Sequence, residues 1–131
     1  MTGQWASRLG LLVALALVAG MSPAVMPVAR AADAVTYEIF SDTIPVVDVE
    51  YLQPGGRVLI TGVALPWRID VPLDDAQGPT GTGAQLRADW RRIRGPAKWV
   101  TVRIFGNGKL LCESVLDVGN ATCYGNTPHF G

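Results

Sequence analysis

The sequence predicts an all-β protein, a small immunoglobulin-like β-sandwich of seven to eight antiparallel strands that follows an N-terminal signal helix. Three observations predict it. From residue 32 onward, apolar and polar residues alternate with the period of a strand, with no sustained helical period. Gly, Pro and Asn clusters recur about every eight to twelve residues, the turn spacing of sandwiches and barrels. Beyond the leader, residues 32–131 offer about 100 residues, the size of one such domain.

Residues 1–31 read as the leader. Arg8 and the amino terminus supply positive charge, residues 9–21 form an apolar core, and Ala29-Arg30-Ala31 places small residues where signal peptidase reads them. Ala32-Asp33-Ala34 offers a second cleavage site. The apolar run falls short of the roughly 20 residues that span a bilayer as a helix, and Pro23 and Pro27 stop it from lengthening. An uncleaved membrane anchor is the alternative reading. The expected location is secreted or periplasmic, in the cell envelope.

The strands follow in order. Val35-Thr36-Tyr37-Glu38-Ile39-Phe40 is the first, ended by Ser41-Asp42-Thr43-Ile44-Pro45. Val47, Val49 and Tyr51 alternate with Asp48 and Glu50, giving a second strand with one apolar and one acidic face. Gln53-Pro54-Gly55-Gly56 is a tight turn, because Pro presets one dihedral and Gly permits positive φ. Residues 57–63 form the third strand. Leu65-Pro66 interrupts it, and Trp67, Ile69 and Val71 resume on one face. Residues 74–83 are the longest loop, rich in Gly and Thr and expected to be mobile. Ala84, Leu86, Ala88 and Trp90 then alternate with Gln85, Arg87, Asp89 and Arg91. Val100, Val102 and Ile104 follow. Asn107-Gly108 fits a type I′ hairpin, which leads back through residues 110–115. Residues 121–124 close the domain, and residues 126–131 read as a loose tail.

The whole chain holds eleven basic and eleven acidic residues. Beyond residue 31 nine basic residues face eleven acidic ones, a net charge of −2. Such a domain has no global electrostatic reason to bind nucleic acid. Cys112 and Cys123 are the only cysteines. In an exported chain a disulfide is the simplest use of such a pair; free thiols are the alternative, and two Cys with the lone His129 do not make a zinc site.

The ordered set Tyr37-Glu38, Asp48-Val49-Glu50-Tyr51, Leu65-Pro66-Trp67, Arg103-Ile104-Phe105-Gly106-Asn107-Gly108 and Cys123 resembles the MmpS family, mycobacterial accessory proteins of the MmpL transporters of the resistance–nodulation–division class. The resemblance covers nearly all of residues 32–131. It implies an envelope domain that helps an MmpL-type membrane transporter export lipids or siderophores through surface contacts. It implies a role carried by surfaces and not by a catalytic group; the residues themselves lead to no expected metal or cofactor. Three departures stand out. Family members keep an N-terminal membrane helix where this chain carries an apparent signal. The family's first Cys belongs near Val102, whereas the candidate partner of Cys123 is Cys112 in the following strand. Asn107-Gly108 stands in place of Asp-Gly.

The candidate partner-binding residues are Trp90, Arg91, Arg92, Arg94, Lys98 and Trp99, a stretch with no counterpart in the family pattern. One reading is an anion or partner site, with guanidinium groups meeting phosphate or carboxylate and Trp99 stacking. The other is a charged edge strand that resists pairing with neighbours. Trp67 has two readings as well: an apolar ledge for a partner, or a core plug in phase with Ile69 and Val71. Asp48 and Glu50 have the spacing of an acid/base pair, but a strand with one wet face shows it routinely. Asp74-Asp75 lacks the spaced donors of a calcium loop, and no nucleophile–His–acid set is assembled. The expected protein is therefore not an enzyme. The alternative function is a soluble secreted carrier with an apolar ligand between its sheets.

Overall fold

The computed structural model describes residues 31–126. Residues 1–30 of the leader, most of the expected tail and His129 lie outside the described residues, whereas the second cleavage candidate, Ala32-Asp33-Ala34, lies within them, with Asp33 and Ala34 already in the first strand. Eight strands follow one another: β1 (Asp33–Phe40), β2 (Val46–Gln53), β3 (Gly56–Ala64), β4 (Trp67–Leu73), β5 (Gln85–Asp89), β6 (Val100–Gly106), β7 (Lys109–Leu116) and β8 (Asn120–Tyr124). They form two four-stranded sheets, ordered β4-β1-β6-β7 and β3-β2-β5-β8. Every paired neighbour is antiparallel. Only β2–β3 and β6–β7 are hairpins; every other connection crosses from one sheet to the other.

The period-two pattern explains this directly. Val35, Tyr37 and Ile39 of β1, Val102 and Ile104 of β6, Val47 and Val49 of β2, and Leu86 and Ala88 of β5 all turn inward and are buried. Burying side chains of this size stabilises the fold by about 1.5–3 kcal/mol each. Tyr37 ties the sheets together with its polar end. Its hydroxyl donates to the Leu52 carbonyl at 2.6 Å and accepts from the Gln85 N–H at 3.3 Å. Both partners belong to the other sheet, so the buried oxygen is satisfied. Burial pushes this hydroxyl up to about 12.

The Leu65-Pro66 step is more than an interruption. It separates two strands in different sheets, so the stretch expected to resume the third strand is β4, an edge of the first sheet. The Leu65–Pro66 peptide is cis. The inward phase survives because an arch between facing sheets turns the same side of the chain toward the core. Trp67 ends between its two expected roles. It is half-buried, with its ring 5.6 Å from Tyr51, which in turn lies 5.5 Å from Tyr37.

Asn107 and Gly108 take φ of 51° and 82°, the two positive values a type I′ turn requires. The long loop is cross-braced. Its Ala76 N–H donates to Asp33 Oδ2 at 2.9 Å, and its Ala76 carbonyl accepts from Ala84 N–H at 2.9 Å. Gly125 backs onto that same carbonyl, leaving no room for a Cβ. Cys112 and Cys123 are bonded, their Cα atoms 5.8 Å apart. The bond joins β7 to β8, the edge strands on one flank of the sandwich. The Val102 carbonyl oxygen lies 3.9 Å from Cys123 Sγ, so β7 supplies the bond from a position beside the one the family pattern suggests. Among the described residues no helix is long and apolar enough to cross a membrane.

Candidate contact surface

Residues 90–99 carry the chain from β5 in the second sheet over the end of the sandwich to β6 in the first. This crossing divides the predicted cluster. Trp90 does not belong to a contact surface. It is only 2% exposed and plugs the end of the core, where its Nε1–H donates to the Lys98 carbonyl at 2.9 Å. It continues the inward phase of Leu86 and Ala88, and its amide donates to Gly119 at 2.7 Å.

Arg91 and Arg92 remain over the second sheet. Cross-strand pairing sets Asp48 directly opposite Asp89, an unfavourable arrangement for like charges. The two arginines answer it. Arg91 holds Asp89 at 2.7 Å through Nη2 and also donates from Nε, Arg87 adds a contact to Asp89 at 3.7 Å, and Arg92 reaches Asp48 at 3.1 Å. Asp48 Oδ1 further accepts the Gly62 N–H at 2.9 Å, next to the register shift between Val47 and Val49. Glu50 pairs with Arg57 at 3.7 Å. Both carboxylates of the suspected acid/base pair thus have cationic partners. Among the described residues there is no cluster of three or more potential metal ligands.

Burial raises the Asp89 carboxyl. The Arg91 hydrogen bonds and the charges of Arg91 and Arg87 more than reverse this, so it ionises below its ordinary value of 3.8. A carboxylate with a depressed folded-state pKa stabilises the fold above its unfolded value and loses that contribution as pH falls through the folded one. Asp89→Asn is therefore expected to lose less stability than the parent below pH 3.8. The difference should stay under about 1 kcal/mol, as for other solvated pairs. Urea midpoints measured across the acid range at low salt check this, and added salt should narrow the gap.

Trp99 emerges on the other side, on the outer face of the first sheet, and is 52% exposed. It lines a shallow cleft of about 280 Å³ with Phe40, Thr43, Ala97, Thr101 and Val115. The loop beneath it is fixed from both sides. The Ser41 hydroxyl donates to the Trp99 carbonyl at 2.6 Å, the Thr43 hydroxyl to the Ala97 carbonyl at 2.5 Å, and Trp90 holds the Lys98 carbonyl between them. Lys98 Nζ turns back to the Ile93 carbonyl at 3.5 Å. Ala97 sits at φ 58°, a left-handed conformation that costs a residue with a Cβ about 1 kcal/mol or more. Arg94 is exposed, and among the described residues it has no ion-pair partner.

Below this cleft a charged row crosses the whole first sheet. Arg68 of β4 lies 3.9 Å from Glu38 of β1, Glu38 lies 3.4 Å from Arg103 of β6, and Arg103 lies 2.6 Å from Glu113 of β7. Arg103 also covers the Phe40 ring at 4.7 Å, a cation–π contact. The row holds Phe40 beneath the cleft. Phe40 and Val115 escaped the sequence reading, although their phase, opposite to Ile39 and in register with Thr101, marks them as outward neighbours.

The cleft offers an exposed aromatic side chain on a braced loop, an apolar floor and a row of charges paired with one another. No family model matches this chain, and no curated protein matches it.

Proposed function

We propose that this chain is an exported, non-enzymatic cell-envelope protein, similar in role to the MmpS accessory proteins, that assists an MmpL-type transporter moving lipids or siderophores. The Trp99 cleft is its contact surface. The observation that carries the reading is an exposed tryptophan on a loop braced by Ser41, Thr43 and Trp90. Such a side chain gives up little conformational entropy on binding, and Trp is enriched among residues that dominate interface energetics. The disulfide is in keeping with an oxidising compartment. The tightly buried facing surfaces of the two sheets favour this reading over a carrier with its ligand between them.

The test places a photo-crosslinking benzoylphenylalanine at position 99 of the full chain in a mycobacterial host. Adducts with an MmpL-type transporter are expected. Trp99→Ala should lower co-purified transporter by about tenfold or more while leaving the melting temperature within the small range of surface substitutions. Transporter recovery that is unchanged in Trp99→Ala overturns the reading. Charge reversal belongs at Arg94, because reversing Arg91 or Arg92 would set a third carboxylate against Asp89 or Asp48.

A further inference from the structure

We propose that β3 pairs with β3 of a second copy of this chain, antiparallel about a two-fold axis through Leu59, so that the second sheets of two protomers become one continuous sheet. The four edges of the sandwich are treated differently. β7 and β8 are joined by the Cys112–Cys123 bond. β4 carries Pro72, which has no N–H to offer a neighbour and shares its outward face with exposed Arg68 and Asp70. β3 has neither device. It is nine residues long, contains no proline and carries a single charge, Arg57. An edge strand of this kind presents a row of backbone donors and acceptors to any strand that fits.

The side chains of β3 specify a fit to themselves. Leu59 is 65% exposed on the outer face, and Ile60, on the core side at the sheet edge, is still 37% exposed. The regular ladder runs over residues 56–61 and ends at Gly62, where the register with β2 shifts. A continuous sheet requires inward residues to meet inward residues, which restricts the pairing to same-parity registers. With the axis at Leu59, Val58 of each copy meets Ile60 of the other, Leu59 meets Leu59, and Arg57 meets Thr61. Moving the axis to Ile60 sets Val58 against the glycine of the bulge. Moving it to Val58 sets Arg57 against Leu59. The Leu59 register alone pairs apolar with apolar on both faces.

Charge agrees with this register. Arg57 of one copy avoids Arg57 of the other and comes up beside Thr61, one strand away from the second copy's Asp48, so no like charges face each other across the new pair. An isologous contact of this type closes at two copies and leaves no free β3 edge to propagate a fibre. The Trp99 clefts lie on the other sheet of each protomer and stay open, so the dimer would offer two of them.

The test uses the protein purified from the envelope as the cell processes it. Sedimentation velocity should give a dimer mass for the parent. Leu59→Lys places two ammonium groups opposite each other and should weaken dimerisation by about tenfold or more without lowering the melting temperature measured in the monomeric range. Leu59→Cys should form a covalent dimer on mild oxidation. Thr61→Cys alone should not, whereas a mixture of Arg57→Cys and Thr61→Cys chains should. A monomeric parent up to its solubility limit, a dimer indifferent to Leu59→Lys, or Thr61→Cys cross-linking as readily as Leu59→Cys each overturns the proposal.

Discussion

Reducing the Cys112–Cys123 bond is expected to destabilise the domain by about 3 kcal/mol and to lower its melting temperature by roughly 12–24 °C. The bond closes a short loop, with a sequence separation of 11. Loop-closure entropy for that length gives the estimate. Its position adds a reason for sensitivity. The bond fastens β7 of one sheet to β8 of the other, whereas the opposite flank, between β3 and β4, is linked by the main chain at Leu65-Pro66 and has no disulfide. Reduced parent and the Cys112→Ala/Cys123→Ala double variant separate two contributions. Both lose the crosslink, but only the double variant also loses buried sulfur, since both side chains lie in the core. The double variant should therefore fall below reduced parent by about 1 kcal/mol or more, the cost of small cavities in a packed core. Urea titrations with and without reductant measure both steps. If reduction moves the midpoint by less than the equivalent of about 1 kcal/mol, the crosslink does not hold the sheets together as argued.

The strands were legible because their information is local. Alternation placed Leu86 and Ala88 inside and Asp48 and Glu50 outside, and the Asn107-Gly108 pair named its own turn. What escaped was carried by contacts between distant parts of the chain. The Leu65-Pro66 step reads the same whether one strand bends or the chain changes sheets, because the inward phase is preserved either way. The basic stretch looked like one patch because its members are adjacent in sequence. Yet the chain there passes over the end of the sandwich, leaving Arg91 and Arg92 on one face and Trp99 on the other. Arg92 finds its carboxylate 44 positions away, at Asp48. No local pattern announces such a partner, nor that Phe40 and Val115 would lie beside Trp99. Position 90 was misread for the opposite reason. Its alternation assigned it to the core, and the surrounding charges drew it into the surface cluster.

Trp90→Ala is expected to be the most damaging single substitution, costing about 3–5 kcal/mol. Three effects converge on it. The indole is among the largest fully buried side chains and closes the end of the core, so its removal leaves a cavity that the flanking strands cannot fill. Its Nε1–H satisfies the Lys98 carbonyl, and losing that bond leaves a part-buried acceptor without its donor, a cost of about 1–3 kcal/mol that overlaps with the first. Against a typical total stability of about 5–15 kcal/mol, the variant should be marginal at physiological temperature. Trp90→Phe separates the effects, since it retains much of the packing and deletes only the polar contact along with part of the ring. It should remain folded while losing roughly 1–3 kcal/mol. The third effect reaches the contact surface. With the Lys98 carbonyl released, the loop keeps its Ser41 and Thr43 ties but loses the bond between them and the core. Trp99 in Trp90→Phe should then exchange among more conformations and, under the proposed function, transporter capture should weaken although position 90 is buried in the core. Hydrogen exchange at residues 91–99 measures the loosening, and co-purification measures its consequence. Loosening without weakened capture would separate loop rigidity from binding and leave Trp99 acting through exposure alone.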